Sequence, residues 1–213
     1  MTGDEFLSNG FGLLEKGGAV MYVLLAFSVV GLAIVLLKVV QFQRLKLRRL
    51  GFVDDAIAKI AAGQIAEART ILAGRANPVA RVMESAVETA GVAGMDEKER
   101  DAEISRVGSA EIQKMETYLG GLEVIANLSP LLGLLGTVFG MIAAFAELQT
   151  AGSEVDPTIL AGGIWEALLT TAFGLSIAIP ALAAFYLLEA QVERVRNAMK
   201  DSVIRINRAL GRK

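Results

Sequence analysis

Hydrophobic and polar positions fall in long blocks along this chain. No charged residue interrupts Gly17 to Leu37, and a second uncharged stretch runs from Val124 to Ala146. A third apolar run, Leu160 to Leu188, carries a single carboxylate, Glu166. A helix rises about 1.5 Å per residue, so roughly 20 residues match a hydrocarbon core of about 30 Å. Each block therefore predicts a membrane-spanning helix. Between the first and second blocks the pattern changes to a helical period. Phe52, Ala56, Ile57 and Ile60 share one face, as do Ile65, Ala68, Ile71 and Leu72, then Val79, Val82, Met83, Ala86 and Val87. Gly63, Gly74, Gly91 and Gly94 punctuate these segments, Asn77-Pro78 marks a turn and helix start, and Asp96 opens a long charged helix. That helix carries Ile104, Val107, Ile112, Met115 and Leu119 as its stripe. Period-two alternation is missing throughout. The expected fold is an all-α membrane protein with three transmembrane helices and long helical extensions on one side.

The blocks divide the chain into a short N-terminal segment (1–16), a first span (17–40), a polar helical region (41–123), a second span (124–146), a loop (147–159), a third span (160–188) and a C-terminal helix (189–213). Lys38, Arg44, Lys46, Arg48 and Arg49 follow the first span, and Arg194, Arg196, Lys200, Arg205 and Arg208 follow the third. Basic flanks mark the cytoplasmic side, which predicts an outer N-terminus and an inner C-terminus. Lys38 is expected to snorkel to that interface. Pro130 is expected to begin the regular membrane part of the second span, and Pro180 to kink the third. The opening MTGDEFL is acidic where a signal peptide is basic, so the first apolar run reads as a retained span.

Composition narrows the function. At 54% hydrophobic and 21% charged residues, the chain is too apolar for an ordinary soluble domain and too charged to lie wholly in lipid. A net charge of −2 suggests no nucleic-acid partner. The absence of His and Cys removes imidazole triads, thiol chemistry and the usual zinc sites. No catalytic grouping, and so no enzyme, is expected.

The remaining chemistry lies inside the spans. An acid in a membrane helix costs about 2.5–3.5 kcal/mol on insertion scales, so Glu166 is expected to face a cavity or an ion path. Counting rise per residue places Thr137 and Thr171 at one level near mid-membrane, with Glu166 about 7 Å further out. Thr170 lies four residues from Glu166 on the same face. Gly133, Gly136 and Gly140 recur three and four apart, which permits close helix approach, and Gly163 and Gly174 flank the Glu166 face. One carboxylate and several hydroxyls among glycines suit a proton relay or a small-cation path. The ordinary alternatives are threonines bonded to carbonyls four residues back and an acid used only in helix packing. Phosphate binding by these glycines lacks the GK[ST] continuation it requires.

SPLLGLLGTVFGMI (Ser129–Ile142) and GGIWEALLTTAFGLSIAIPA (Gly162–Ala181) resemble the signature of the MotA/TolQ/ExbB proton-channel family, nearest to its ExbB/TolQ branch. The resemblance implies a bacterial inner-membrane stator without a cofactor. It implies a homopentameric ring around two single-span ExbD- or TolR-like partners, in which ion flow works on a TonB- or TolA-like protein. Glu166, Thr137 and Thr171 match its polar positions and would surround an ion-carrying aspartate of the partner. Trp165 and Thr170 depart from its usual residues, and the added hydroxyl leaves sodium open beside the proton. The short chain does not resemble the four-span flagellar type. An ExbB-like role is favoured. A TolQ-like role in envelope maintenance and a passive membrane scaffold are the alternatives. A solute transporter fits poorly, because three spans hold no inverted repeat.

Overall fold

The structure is a computed structural model that describes residues 18–150 and 157–211. The N-terminal segment 1–16 and residues 151–156 of the loop 147–159 fall outside the described residues; 147–150 end one helix and 157–159 begin the next. Those described form helices α1 (Gly18–Arg44), α2 (Gly51–Ala61), α3 (Ile65–Leu72), α4 (Pro78–Ala90), α5 (Glu97–Glu116), α6 (Leu119–Thr150) and α7 (Pro157–Ala209), with no strand among them. Three of these stretches are long and apolar enough to cross a membrane: α1, the run ending in α6, and α7. The protein is an all-α membrane protein.

Two compact units share the chain. One takes residues up to Val35 and Tyr118–Tyr186; the other takes Leu36–Thr117 and the chain from Leu187 onward. In the first, α1 meets α6 through small residues. A Cβ on Gly31 would touch Ile125 at 3.5 Å, and one on Gly121 would touch Ile34 at 3.7 Å, both ordinary contacts. Large apolar side chains such as Val29, Leu131, Ile142 and Ile179 point outward. That is the surface expected against lipid or neighbouring membrane helices. Pro130 does not begin α6: it stands inside that helix, as Pro180 stands inside α7. Each removes one backbone bond, to the carbonyl four residues earlier, and packing carries the helix through the gap.

In the second unit, α2 packs on α3, α3 on α4 and α4 on α5. Phe52, Ala56, Ile60, Leu72, Val79, Met83 and Met115 are buried, as are Val192, Met199 and Ile206 of α7. Local sequence sets the ends. Gly63, Gly74 and Gly94 take positive φ of 76°, 71° and 85°, a region open to glycine at little cost. The Asn77 side chain accepts from the Val79 amide at 2.9 Å, with Pro78 in the first turn. Asp96 and Glu99 form a reciprocal capping box. Glu111, buried among these helices, accepts from Arg81 at 2.9 Å and from Lys114 at 2.7 Å.

The charged helix α5 ends at Glu116 and α6 begins at Leu119; between them Tyr118 takes φ 69°. Lys38 holds the end of α5. It is 2% exposed and does not snorkel. Its ammonium donates to the Met115 carbonyl and to Gln41 Oε1, both at 2.8 Å, and more weakly to the Lys114 carbonyl at 3.4 Å. The last carbonyls of a helix lack amide partners and carry partial negative charge. They offer the cation a better destination than the interface.

Candidate functional site

Within the first unit, α6 and α7 run antiparallel and touch backbone to backbone along a line of glycines. A Cβ on Gly174 would lie 2.5 Å from the Ser129 carbonyl oxygen, and one on Gly133 would lie 2.9 Å from the Thr170 carbonyl. Further along, Gly136 faces the Thr170 side chain, Gly140 faces Ala167 and Gly163 faces Ala144. Only residues without a side chain permit this approach.

The two adjacent threonines have different surroundings. Thr170 is 2% exposed, and its hydroxyl donates to the Ala167 carbonyl at 2.7 Å and the Gly133 carbonyl at 3.0 Å. Its oxygen is thus committed to the seam. The Thr171 hydroxyl oxygen is buried and has no hydrogen-bond partner among the described residues. It does not take the back-bond that a helical threonine usually finds. An unmade bond of this kind costs about 1–3 kcal/mol, and it leaves a donor and acceptor available to an incoming group.

Thr137 lies one residue past Gly136, a turn of about 100° from the seam. It is half-buried, and its hydroxyl donates to the Leu134 carbonyl at 2.7 Å. Glu166, one turn beyond Thr170, is half-buried and lines a cleft of about 540 Å³. Gly18 of α1, Gly140 and Glu147 of α6, and Gly163 and Thr158 of α7 line it too. The structure thus brings Glu166, Gly136, Gly140 and Gly163 to one surface, and Gly133, Gly174, Thr170 and Thr171 to the seam. Thr137 stands apart from both. Glu147, read from sequence only as a loop charge, belongs to the cleft. Its signal was present: 140, 144 and 147 continue the small-residue face of α6 by helical spacing. No group of three or more acidic, His or Cys side chains suited to a metal occurs among the described residues. The arrangement can accept and release protons at a carboxylate and solvate a transient charge with one unpaired hydroxyl.

A family model described as the MotA/TolQ/ExbB proton channel family matches residues 75–201, more than half of the chain. An ExbB homolog named for biopolymer transport, from Methanothermobacter thermautotrophicus, is 28% identical over 179 residues, covering 82% of this chain and 61% of that protein. Biopolymer transport protein exbB1 of Vibrio cholerae is 40% identical over 86 residues, covering 40% of this chain and 38% of that protein. The Tol-Pal system protein TolQ of Haemophilus influenzae is 40% identical over 85 residues, 40% of this chain and 37% of its own. The chain spans less than two thirds of the length of these curated relatives. With the signature of its second and third spans seated on one glycine seam, the chain belongs to the MotA/TolQ/ExbB proton channel family, in its ExbB/TolQ branch.

Proposed function

We propose that this chain is an ExbB-like stator subunit that couples inward proton movement to work done across the envelope. Membership of a channel family sets it among transport proteins and not enzymes. The observation that carries the reading is the Thr171 hydroxyl, buried at the seam with no hydrogen-bond partner among the described residues. Beside it, Glu166 lines an open cleft between close-packed spans. Copies of the chain, five in the family's manner, enclose the single spans of an ExbD- or TolR-like partner. Thr171 and Glu166 face the charge this partner carries, and Thr170 fixes the seam. The basic flanks set the C-terminus in the cytoplasm and the N-terminus in the periplasm.

Moving one charge through 100 mV releases about 2.3 kcal/mol, which biases a two-state helix arrangement by a factor of roughly 50. Several ions passing through a ring suffice to drive a TonB-like protein. A TolQ-like role uses the same chemistry, and both names occur among the relatives.

The test is gradient-dependent uptake through a TonB-type receptor in cells whose own subunit is replaced by this chain with its partner. Glu166→Ala is expected to abolish uptake while the complex still assembles, and Glu166→Gln to impair it severely. Full activity of Glu166→Gln would instead establish the passive scaffold. Omitting sodium is expected to leave uptake unchanged; loss of uptake would make sodium the coupling ion.

A further inference from the structure

A second cleft, of about 610 Å³, lies in the other unit, where the end of α1 meets the stretch of α7 at the end of its apolar run. Its lining combines Lys46, Arg48 and Arg49 with Phe42, Leu187 and Leu188, and contains no carboxylate. The three cations are exposed and form no ion pair among the described residues. Like charges this close repel one another unless an anion lies between them.

The turn that presents them is built. Lys46 takes φ 49°, a strained conformation for a side-chain-bearing residue. Its carbonyl accepts from Asn77 Nδ2 at 3.2 Å and from the Arg49 amide at 2.9 Å. The intervening Leu47 is 5% exposed and anchors the turn to the core. The strain is thus held in place by Asn77, the cap of α4, and by the Arg49 amide within the turn itself.

The floor of the cleft identifies the occupant. Leu187 is 75% exposed at the end of a transmembrane run, and with the half-buried Phe42 it gives the cleft an apolar surface beside the three cations, backed by the buried Leu188. A soluble phosphate or nucleotide would satisfy the rim and leave this surface wet. A zwitterionic lipid would satisfy the surface and place its own cation among three others. We propose that this cleft binds an anionic glycerophospholipid of the phosphatidylglycerol kind. Its phosphodiester lies among Lys46, Arg48 and Arg49, and its acyl chains lie on Phe42, Leu187 and Leu188. A basic group beside the membrane surface strengthens anionic-lipid binding about fivefold per charge.

The experiment uses the full chain, purified in detergent and in nanodiscs, with bound lipid counted by native mass spectrometry. Wild type is expected to retain phosphatidylglycerol at least tenfold over phosphatidylcholine, and K46Q/R48Q/R49Q to lose that preference. K98Q/R194Q/R208Q, which removes the same charge from exposed sites elsewhere, is expected to keep it. Equal retention by wild type and the cleft variant would overturn the proposal. So would equal loss in the control variant, equal binding of phosphatidylcholine, or displacement of the lipid by millimolar inorganic phosphate. Leu187→Trp, made together with Trp165→Phe so that it holds the sole indole, gives a second measurement should the triple variant not fold. Its indole is expected to be quenched by brominated phosphatidylglycerol at a several-fold lower mole fraction than by brominated phosphatidylcholine. Equal quenching by the two would also overturn it.

Discussion

The Thr170 hydroxyl donates across the α6–α7 seam to the Gly133 carbonyl at 3.0 Å, while the Cβ that Gly136 lacks would lie 2.5 Å from that same hydroxyl oxygen. One side chain therefore both bonds and wedges the two helices. Thr170→Val keeps the shape and removes the bond. Interhelical hydrogen bonds in membranes average about 0.6 kcal/mol and reach about 1.7 kcal/mol. The variant is expected to lose stability within that range, read by unfolding in mixed micelles, with Thr170→Ser recovering part of it. A loss well above that range would mean that Thr170 does more than hold the seam.

Gly174→Ala is expected to be worse. Its new methyl would stand 2.5 Å from the Ser129 carbonyl oxygen, a backbone atom that cannot turn aside. Overpacking costs about 1–3 kcal/mol where neighbours can adjust, so a loss at or above the top of that range is predicted. Gly162→Ala, with open space around it, is the paired control and is expected to be neutral. Equal stability of the two in a thermal assay would contradict the seam.

Lys38 gives a third prediction. Lys38→Met keeps the volume but leaves the Met115 carbonyl without its charged donor. Hydrogen bonds to charged groups contribute about 1.5–3 kcal/mol, offset by relief of the buried charge. A net loss of about 1–2 kcal/mol is expected. Hydrogen exchange should speed up at the C-terminal end of α5 and leave the α4 amides unchanged.

Acid gives a fourth. The Arg106 guanidinium donates to Glu103 at 2.6 and 2.7 Å and holds its carboxyl below the usual carboxylate range. A depressed carboxylate contributes stability above its unfolded pKa, about 4.3. That contribution fades as pH falls through the lower folded value. In a carbon-13 titration Glu103 should titrate below the usual carboxylate range, and in Arg106→Gln its midpoint should rise. An unchanged midpoint would sever the pair.

Much of the fold was legible because it rests on block hydropathy and local chemistry. The apolar runs, the glycine stops, Asn77-Pro78 and the Asp96 cap each act within a few residues. Less legible was whatever depended on a distant partner. Lys38 sits where snorkelling is normal, and only the carbonyls ending α5, 76 and 77 positions later, draw it inward. Pro130 reads as a helix start until packing against Gly174 carries α6 through it. The break at Tyr118 has no glycine to announce it. At the candidate site, spacing found the residues but could not tell which threonine is spent on the seam. Thr170 and Thr171 differ by one helical step, and only the position of Gly133 separates them.

Thr171 carries the central claim, and ion flux tests it most directly. The measurement is gradient-driven proton uptake into vesicles holding the chain with the single-span partner proposed for it, wild type against Thr171→Val. Flux is expected to fall at least tenfold with unchanged assembly and with thermal stability equal to or above that of wild type, because valine removes the unsatisfied hydroxyl. Wild-type flux in the Thr171→Val complex would contradict it.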